Sequence, residues 1–157
     1  MRRDHFELEA ENVDWVESGD QPAEPQVVID FDGPKETLTE RLTDAEGNPL
    51  GAGETDVAFR LQDPLDDADA TGVVSVTDRV TGDFLLELNA DAADVLRFVR
   101  AAREYGQSND DDGGRYSVTL RVDGDVVATY SKSTFLVYDA NGSLLRSKSL
   151  IPSGVEL

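Results

Sequence analysis

Residues 115–122 (RYSVTLRV) and 126–138 (VVATYSKSTFLVY) are the stretch that decides the fold class. In the first segment apolar and polar residues alternate, which is the period of a half-buried strand. Asp123-Gly124 stands between the two segments, and this dipeptide is a strong signal for a tight turn between antiparallel strands. The stretch therefore predicts a β-hairpin whose second strand is irregular near residues 131–133.

The same alternation recurs on both sides of this hairpin. Further strands are predicted at residues 5–13, 26–32, 37–43, 55–62, 72–79, 82–89 and 144–151. Residues 91–105 have the helical period instead, with apolar side chains at Val95, Phe98, Val99 and Ala102. About 8–9 short strands with one inserted amphipathic helix (about 91–105) predict an all-β fold. We expect an antiparallel β-sandwich that forms a single domain over residues 1–157.

The charge of the chain indicates its environment. The 157 residues carry 33 acidic and 14 basic side chains, for a formal net charge of -19, and no cysteine. Such an acidic chain is not expected to bind nucleic acid, because phosphate contacts require clustered Lys and Arg. The acids are spread from Asp4 to Glu156, and lysine occurs only at Lys35, Lys132 and Lys148. This pattern predicts a halophilic protein, because concentrated salt screens the repulsion between carboxylates.

Localisation is predicted from what the sequence lacks. No apolar run approaches the roughly 18 residues of a membrane-spanning helix. The first residues, MRRD, are not followed by the apolar stretch of a secretory signal. We therefore expect a cytoplasmic protein that does not contact a membrane.

Residues 112–118 (DGGRYSV) resemble the tyrosine corner of immunoglobulin-like sandwiches. The resemblance implies that the hydroxyl of Tyr116 bonds to the backbone just upstream, with Asp112 and Gly114 in the same structural motif. Val118 stands where a disulfide-bonded family member has a cysteine. The alternative is an ordinary strand that begins with a tyrosine. If residues 112–118 form a tyrosine corner, the sandwich is Ig-like and the helix lies between its fifth and sixth strands.

As a whole, the chain also resembles a small family of uncharacterised haloarchaeal proteins. The segments TDVAFRLQ, TGVVSVTDRVTGDF and FLVYDANG, together with the end SLIPSGVEL, carry that resemblance. These proteins are classed as a domain of unknown function. The resemblance implies an archaeal source and brings no active site with it.

Catalytic residues are not predicted. His5 is the only histidine and lies at the start of the first strand, and the chain has neither a nucleophile elbow nor a glycine-rich phosphate loop. We therefore expect no enzymatic activity and no cofactor.

The one metal hypothesis is calcium. Asp67, Asp69, Thr71 and Asp78 have a spacing that is similar to a calcium-binding loop, with Gly72 at the place of its sharp turn. Asp78 is a weak match for the usual Glu, and the residues after it predict a strand rather than the exit helix. The four residues are a weak candidate, and a solvated acidic loop is the alternative.

Two segments depart from the general acidity and are candidate interaction sites. Arg97, Arg100 and Arg103 recur at threefold spacing on the helix, and they either bind an anionic partner or pair with neighbouring acids. The end of the chain, residues 152–157, is an apolar tail. Val155 and Leu157 of this tail, and Ile151 just before it, are the candidate contact residues. They either cover an edge strand or bind a partner. Residues 107–114, between helix and strand, are expected to form a mobile acidic loop.

These observations favour a non-catalytic protein-interaction or scaffolding module that works at high salt and binds a protein partner or a second copy of itself. A small-ligand or calcium-binding domain is the alternative, and an enzyme comes third. A binding module predicts a contact surface without a polar pocket, whereas an enzyme predicts a concave pocket that gathers distant carboxylates.

Overall fold

The structure, a computed structural model, describes residues 5–108 and 115–151. This part of the chain is mostly β, with eight strands in two four-stranded sheets. The strands are β1 (Phe6–Glu11), β2 (Gln26–Phe31), β3 (Thr55–Leu61), β4 (Thr71–Asp78), β5 (Phe84–Asp91), β6 (Tyr116–Val122), β7 (Asp125–Lys132) and β8 (Leu136–Tyr138). The helices are α1 (Trp15–Ser18), α2 (Lys35–Arg41) and α3 (Ala92–Ser108), with short 3-10 helices at Ala52–Glu54 and Arg146–Lys148. None of these helices is long and apolar enough to cross a membrane.

The two sheets have a sandwich-like arrangement. The strand order is β1-β2-β6-β7 in the first sheet and β5-β4-β3-β8 in the second sheet. Alternate side chains of both sheets face a common core, because successive residues of a strand point to opposite faces. Large core residues come from both sheets and from α3, among them Ile29, Leu120, Phe59, Leu88 and Phe98.

Two strand pairs correct the expected antiparallel sandwich. β2 pairs with β6 in parallel, and β3 pairs with β8 in parallel. The reason is the path of the chain, which leaves the first sheet after β2, builds β3, β4 and β5 in the second sheet, and returns through α3 to lie beside β2. These strand orders also differ from those of the immunoglobulin fold, whose two sheets are antiparallel.

The hairpin that the sequence predicts is present between β6 and β7. Val122 pairs with Asp125, and the two turn residues Asp123 and Gly124 both have positive φ, at 51° and 83°. Residues 126–138, however, are not one strand. β7 ends at Lys132 in the first sheet, and β8 begins at Leu136 in the second sheet, so the predicted irregularity is the point where the chain changes sheets.

Buried polar groups stabilise the segment between Lys132 and Leu136, where the chain passes from one sheet to the other and which we call the crossing. Lys132 is 8% exposed, and its Nζ donates to the carbonyl oxygens of Ala52, at 2.7 Å, and Thr55. The hydroxyl of Tyr116 donates to the carbonyl oxygen of Thr134 at 2.6 Å. This hydroxyl therefore donates downstream, to the crossing segment, and the upstream bond of a tyrosine corner stays a prediction. Asp112 and Gly114 lie outside the described residues.

An aromatic cluster packs beneath the crossing. The rings of Phe98, Tyr116 and Phe135 are buried, with centroids 5.1–5.9 Å apart and edge-to-face angles. Such pairs stabilise by about 0.5–1.5 kcal/mol beyond the burial of their surface. The cluster joins α3, the first sheet and the start of β8.

Two segments predicted as strands have other structures. Residues 37–43 belong mostly to α2, because Leu38 and Leu42 are four residues apart and this spacing suits a helix as well as a strand. In residues 144–151 only Leu144 and Leu150 pair with the β8 region, on either side of a 3-10 helix. The predicted long helix is present and runs to Ser108, so residues 107 and 108 of the expected loop are helical, and residues 109–114 lie outside the described residues.

Candidate interaction surfaces

The three predicted arginines lie together, in a groove of about 430 Å³ between α1, α3 and the segment 147–148. Arg97 forms an ion pair with Asp14, and its Nε lies 3.2 Å from Oε1 of Glu17, although not in hydrogen-bonding geometry. Burial opposes its charge, but these two carboxylates outweigh that effect and raise the pKa of Arg97. Arg97 therefore attaches α1 to α3.

The other two arginines differ in their contacts. Nη2 of Arg103 donates to the carbonyl oxygen of Ser149 at 2.7 Å and more weakly to that of Ser147 at 3.4 Å. Arg100 is exposed, and its Nε is 3.9 Å from Oε2 of Glu104. Arg97 thus pairs with acids and Arg103 with backbone carbonyls of neighbouring segments, and the choice between a binding role and a packing role for the cluster stays a prediction.

The end of the described chain is anchored. Leu150 is buried, and its backbone exchanges two hydrogen bonds with Phe135, at 2.8 and 2.9 Å. Ile151 is half-buried. Val155 and Leu157 lie outside the described residues, so the choice between a docked tail and a binding tail stays a prediction.

The residues of the calcium hypothesis are not brought together. Thr71 begins β4 and Asp78 ends it, so a strand of about 3.3 Å per residue separates them by roughly 20 Å. Asp67 accepts a hydrogen bond from the backbone of Asp69, and Asp78 accepts two from its own turn. In residues 5–108 and 115–151, no group of three or more His, Asp or Glu side chains is placed to hold a metal ion.

Gly72 has a packing role in this segment. A Cβ atom at this position would lie closer than 3.0 Å to the carbonyl oxygen of Arg60 and to the ring of Phe59. The glycine of the presumed calcium loop is thus required by the close approach of β3 and β4.

The outer face of the second sheet carries a shallow groove of about 620 Å³, which we call the trough. Its floor consists of small or apolar side chains, and an aromatic residue stands near each end. The residues used below are Ala58, Val73, Ser75, Phe84 and Tyr138. Phe84 is 55% exposed, and Val80, in the adjoining turn, is 82% exposed. Exposed apolar side chains that adjoin one another are typical of an interaction site.

The trough is lined by one cation and one carboxylate, Arg60 and Glu87. Nη2 of Arg60 donates to the carbonyl oxygen of Ala140 at 3.3 Å, near the upper limit for such a bond. Among the residues that the structure describes, no carboxylate pairs with Arg60.

The β1 edge of the first sheet's outer face has the opposite character. Glu7, Glu9 and Glu11 point outward from β1, because Phe6, Leu8 and Ala10 face the core. Asp30 lies beside Glu7 and is paired with Arg121, with two N–O distances of 2.9 Å. This edge is therefore acidic, whereas most outward residues of β6 and β7 are uncharged.

The trough was missed at the level of sequence, although a weak signal exists. Within residues 55–62 and 72–79, the outward positions include Ala58, Val73 and Ser75, which carry no charge. The strand order, which the sequence does not give, places these residues side by side.

The fold and the surfaces together define a mostly-β, two-sheet domain with an uncharged trough on one outer face. The whole chain, residues 1–157, matches the model described as Family of unknown function (DUF5793), and the protein belongs to this family. No curated protein and no solved structure matches the chain.

Proposed function

We propose that this protein is a non-catalytic protein-interaction domain adapted to high salt, and that the trough is its contact surface. The observation that carries the proposal is the contrast between the trough, lined by one cation and one carboxylate, and the row of carboxylates on β1, with Asp30 beside it, on the opposite face. A surface that only has to stay soluble in concentrated salt would be expected to be acidic on both faces.

Apolar contact is the interaction that such an environment favours. At 1 M salt the Debye screening length is about 3 Å, so attraction between exposed charges is weak. Salts that are excluded from the protein surface instead strengthen the burial of apolar surface. Phe84, Tyr138 and Val73 supply that surface in the trough. This supports an interaction role in a salt-rich cytoplasm better than a role that depends on the arginines of α3.

The test is site-specific photo-crosslinking in cells grown at high salt. A photoreactive amino acid replaces Ser75, in the floor of the trough, and in a matched control it replaces Thr129, an exposed residue of β7 in the first sheet. We expect a discrete protein adduct from position 75 and little from position 129. No adduct at position 75, or equal adducts at both positions, would contradict the proposal.

A small apolar anion is the second candidate ligand. The trough volume of about 620 Å³ lies in the range of small-molecule sites, roughly 300–1,000 Å³, and Arg60 supplies a cation beside Tyr138. Benzoate and indole-3-acetate would then raise the melting temperature of the protein but not that of an Arg60→Gln variant. Equal shifts in both proteins would exclude this candidate.

A further inference from the structure

We infer that the occupant of the trough is the trough of a second copy of this chain, placed by a two-fold axis that pairs Arg60 of each copy with Glu87 of the other. The inference rests on the proposed function, because it names the partner of the same surface. It follows from where the strand register puts charged and aromatic side chains around the trough.

The register places Arg60 and Glu87 on opposite sides of the trough. Arg60 pairs with Val73, whereas Ser75, two residues further along β4, pairs with Glu87. The two charges are thus two strands and two residues apart, about 12 Å on a sheet with strands about 4.8 Å apart and about 3.3 Å per residue. The uncharged floor at Val73 and Ser75 lies between them.

This arrangement is complementary to itself. When two copies pack face to face, a two-fold axis lying in the interface and crossing the floor between the two charges places each Arg60 over the partner's Glu87. Such an interface is isologous, so one favourable pair occurs twice. The Arg60 guanidinium then gains the carboxylate partner that it lacks among the described residues of its own chain.

The same axis brings the aromatic residues together. Tyr138 lies beside Arg60 on β8, and Phe84 lies beside Thr77 at the start of β5, beyond Glu87. The rotation that superimposes Arg60 on Glu87 therefore carries Tyr138 to the neighbourhood of Phe84. Two reciprocal aromatic contacts would form, and aromatic residues are enriched at the centres of protein interfaces.

Electrostatics also favours this face for self-association. Each copy has a formal net charge of -19, so two copies repel each other most where their acidic faces meet. The trough is lined by one positive and one negative side chain and has no net charge. A second copy therefore approaches this face with less repulsion than it meets at the acidic β1 edge, and high salt reduces the remaining repulsion further.

The test is the mass of the full chain in concentrated KCl (about 3 M), measured by light scattering after size exclusion. We expect a dimer of twice 17.1 kDa. Arg60→Glu and Glu87→Arg should each weaken the dimer at least tenfold, because like charges would face each other inside the interface, where salt screens them much less than at an exposed surface. The double variant Arg60→Glu/Glu87→Arg should restore it. Arg121→Glu, the same substitution on the other sheet, is the control and should leave the dimer intact.

A cross-link gives a second measurement that does not depend on those charges. The chain has no cysteine, so Ser75→Cys introduces a single reactive thiol close to the inferred axis. A short bismaleimide should join two such chains, whereas Thr129→Cys should give no cross-linked dimer. Efficient cross-linking at position 75 alone supports the inference, and its failure contradicts it.

The two proposals fail differently. A monomeric wild-type chain, or a folded Arg60→Glu variant that still dimerises, overturns self-pairing. If photo-crosslinking from position 75 then gives an adduct to another protein, the interaction function stands with a different partner. If position 75 gives no adduct at all, the interaction function fails as well.

Discussion

The β1 edge of the first sheet and the trough of the second sheet are built on the same alternation of residues but have opposite chemistry. On the first sheet, β1 places Glu7, Glu9 and Glu11 in a row, and among the described residues Arg121 of β6 is the cation that pairs with a carboxylate on this face. On the second sheet, the corresponding outward positions form the uncharged floor of the trough. This difference is the basis of our proposal that the trough, rather than the acidic edge, is a contact surface.

The largest expected effect comes from breaking the sheet that bears the trough. Gly72→Ala should lower the free energy of unfolding by about 3 kcal/mol, because an overpacked Cβ forces the backbone to shift. The matched control is Gly53→Ala, where a Cβ would meet no atom within 4 Å. Urea unfolding should leave the control within about 0.5 kcal/mol of the wild type, and equal losses in both variants would contradict the close approach of β3 and β4.

The second effect concerns the crossing that joins the two sheets. Tyr116→Phe removes the hydroxyl that donates to Thr134 and should cost about 1–3 kcal/mol, because a buried carbonyl loses its partner. Tyr138→Phe, at a half-buried tyrosine on the trough, is the control and should cost less. Both values come from chemical denaturation at neutral pH.

The same tyrosine predicts how stability depends on pH. Burial raises the pKa of Tyr116 above its ordinary value, so the folded chain keeps this proton at pH values where the unfolded chain loses it. Its contribution is complete below pH about 10, the pKa of an unfolded tyrosine, and is lost as the pH rises further. Lys132 acts oppositely, since burial lowers its pKa and its charge costs stability at neutral pH. Tyr116→Phe should flatten the alkaline loss of stability, and an unchanged slope would contradict this assignment.

The third effect separates a packing role of the α3 arginines from a binding role. Arg103→Ala removes the hydrogen bond to Ser149 and should cost about 1 kcal/mol. Arg100→Ala, at an exposed side chain with only a 3.9 Å contact to Glu104, should cost less than about 0.5 kcal/mol. Thermal melts of the two variants make the comparison. If neither substitution lowered the melting temperature, the arginines of this groove would not stabilise the fold.

The smallest effect tests the acidic face. Neighbouring outward residues of β1 are about 6.6 Å apart, which corresponds to a repulsion of about 0.6 kcal/mol per pair in water. Changing Glu7, Glu9 and Glu11 all to Gln should raise the free energy of unfolding by less than ~1 kcal/mol at low salt. The gain should vanish in concentrated KCl, where the charges are screened. The unfolding midpoint measured against KCl concentration decides this, and a gain that is independent of salt would contradict the role of the face.

Local patterns predicted the strands and the long helix well. Alternation located β1 to β6 within a few residues, and Asp123-Gly124 fixed the β6–β7 turn, because positive φ at both positions is rare outside such turns. The pattern did not distinguish α2 from a strand, since leucines four residues apart satisfy both periods. Nor did it reveal that β7 and β8 belong to different sheets. That division depends on which strands pair, and pairing is a property of distant segments.

Function was harder to predict for the same reason. The arginine spacing correctly put Arg97, Arg100 and Arg103 on one side of α3, but their partners Asp14 and Ser149 are distant in sequence. The spacing of Asp67, Asp69, Thr71 and Asp78 suggested convergence that an extended strand prevents. The trough arises from four strands, and none of them carries a motif.

The sequence by itself determined the periodic elements, the acidity and the absence of thiol chemistry, because these depend on composition and on neighbours within a few residues. Tertiary structure alone decided the parallel pairs, the bond from Tyr116 to the crossing, and the placement of Arg60 opposite Glu87. The physical reason is that side-chain alternation specifies which face a residue occupies, whereas strand order specifies its neighbours on that face.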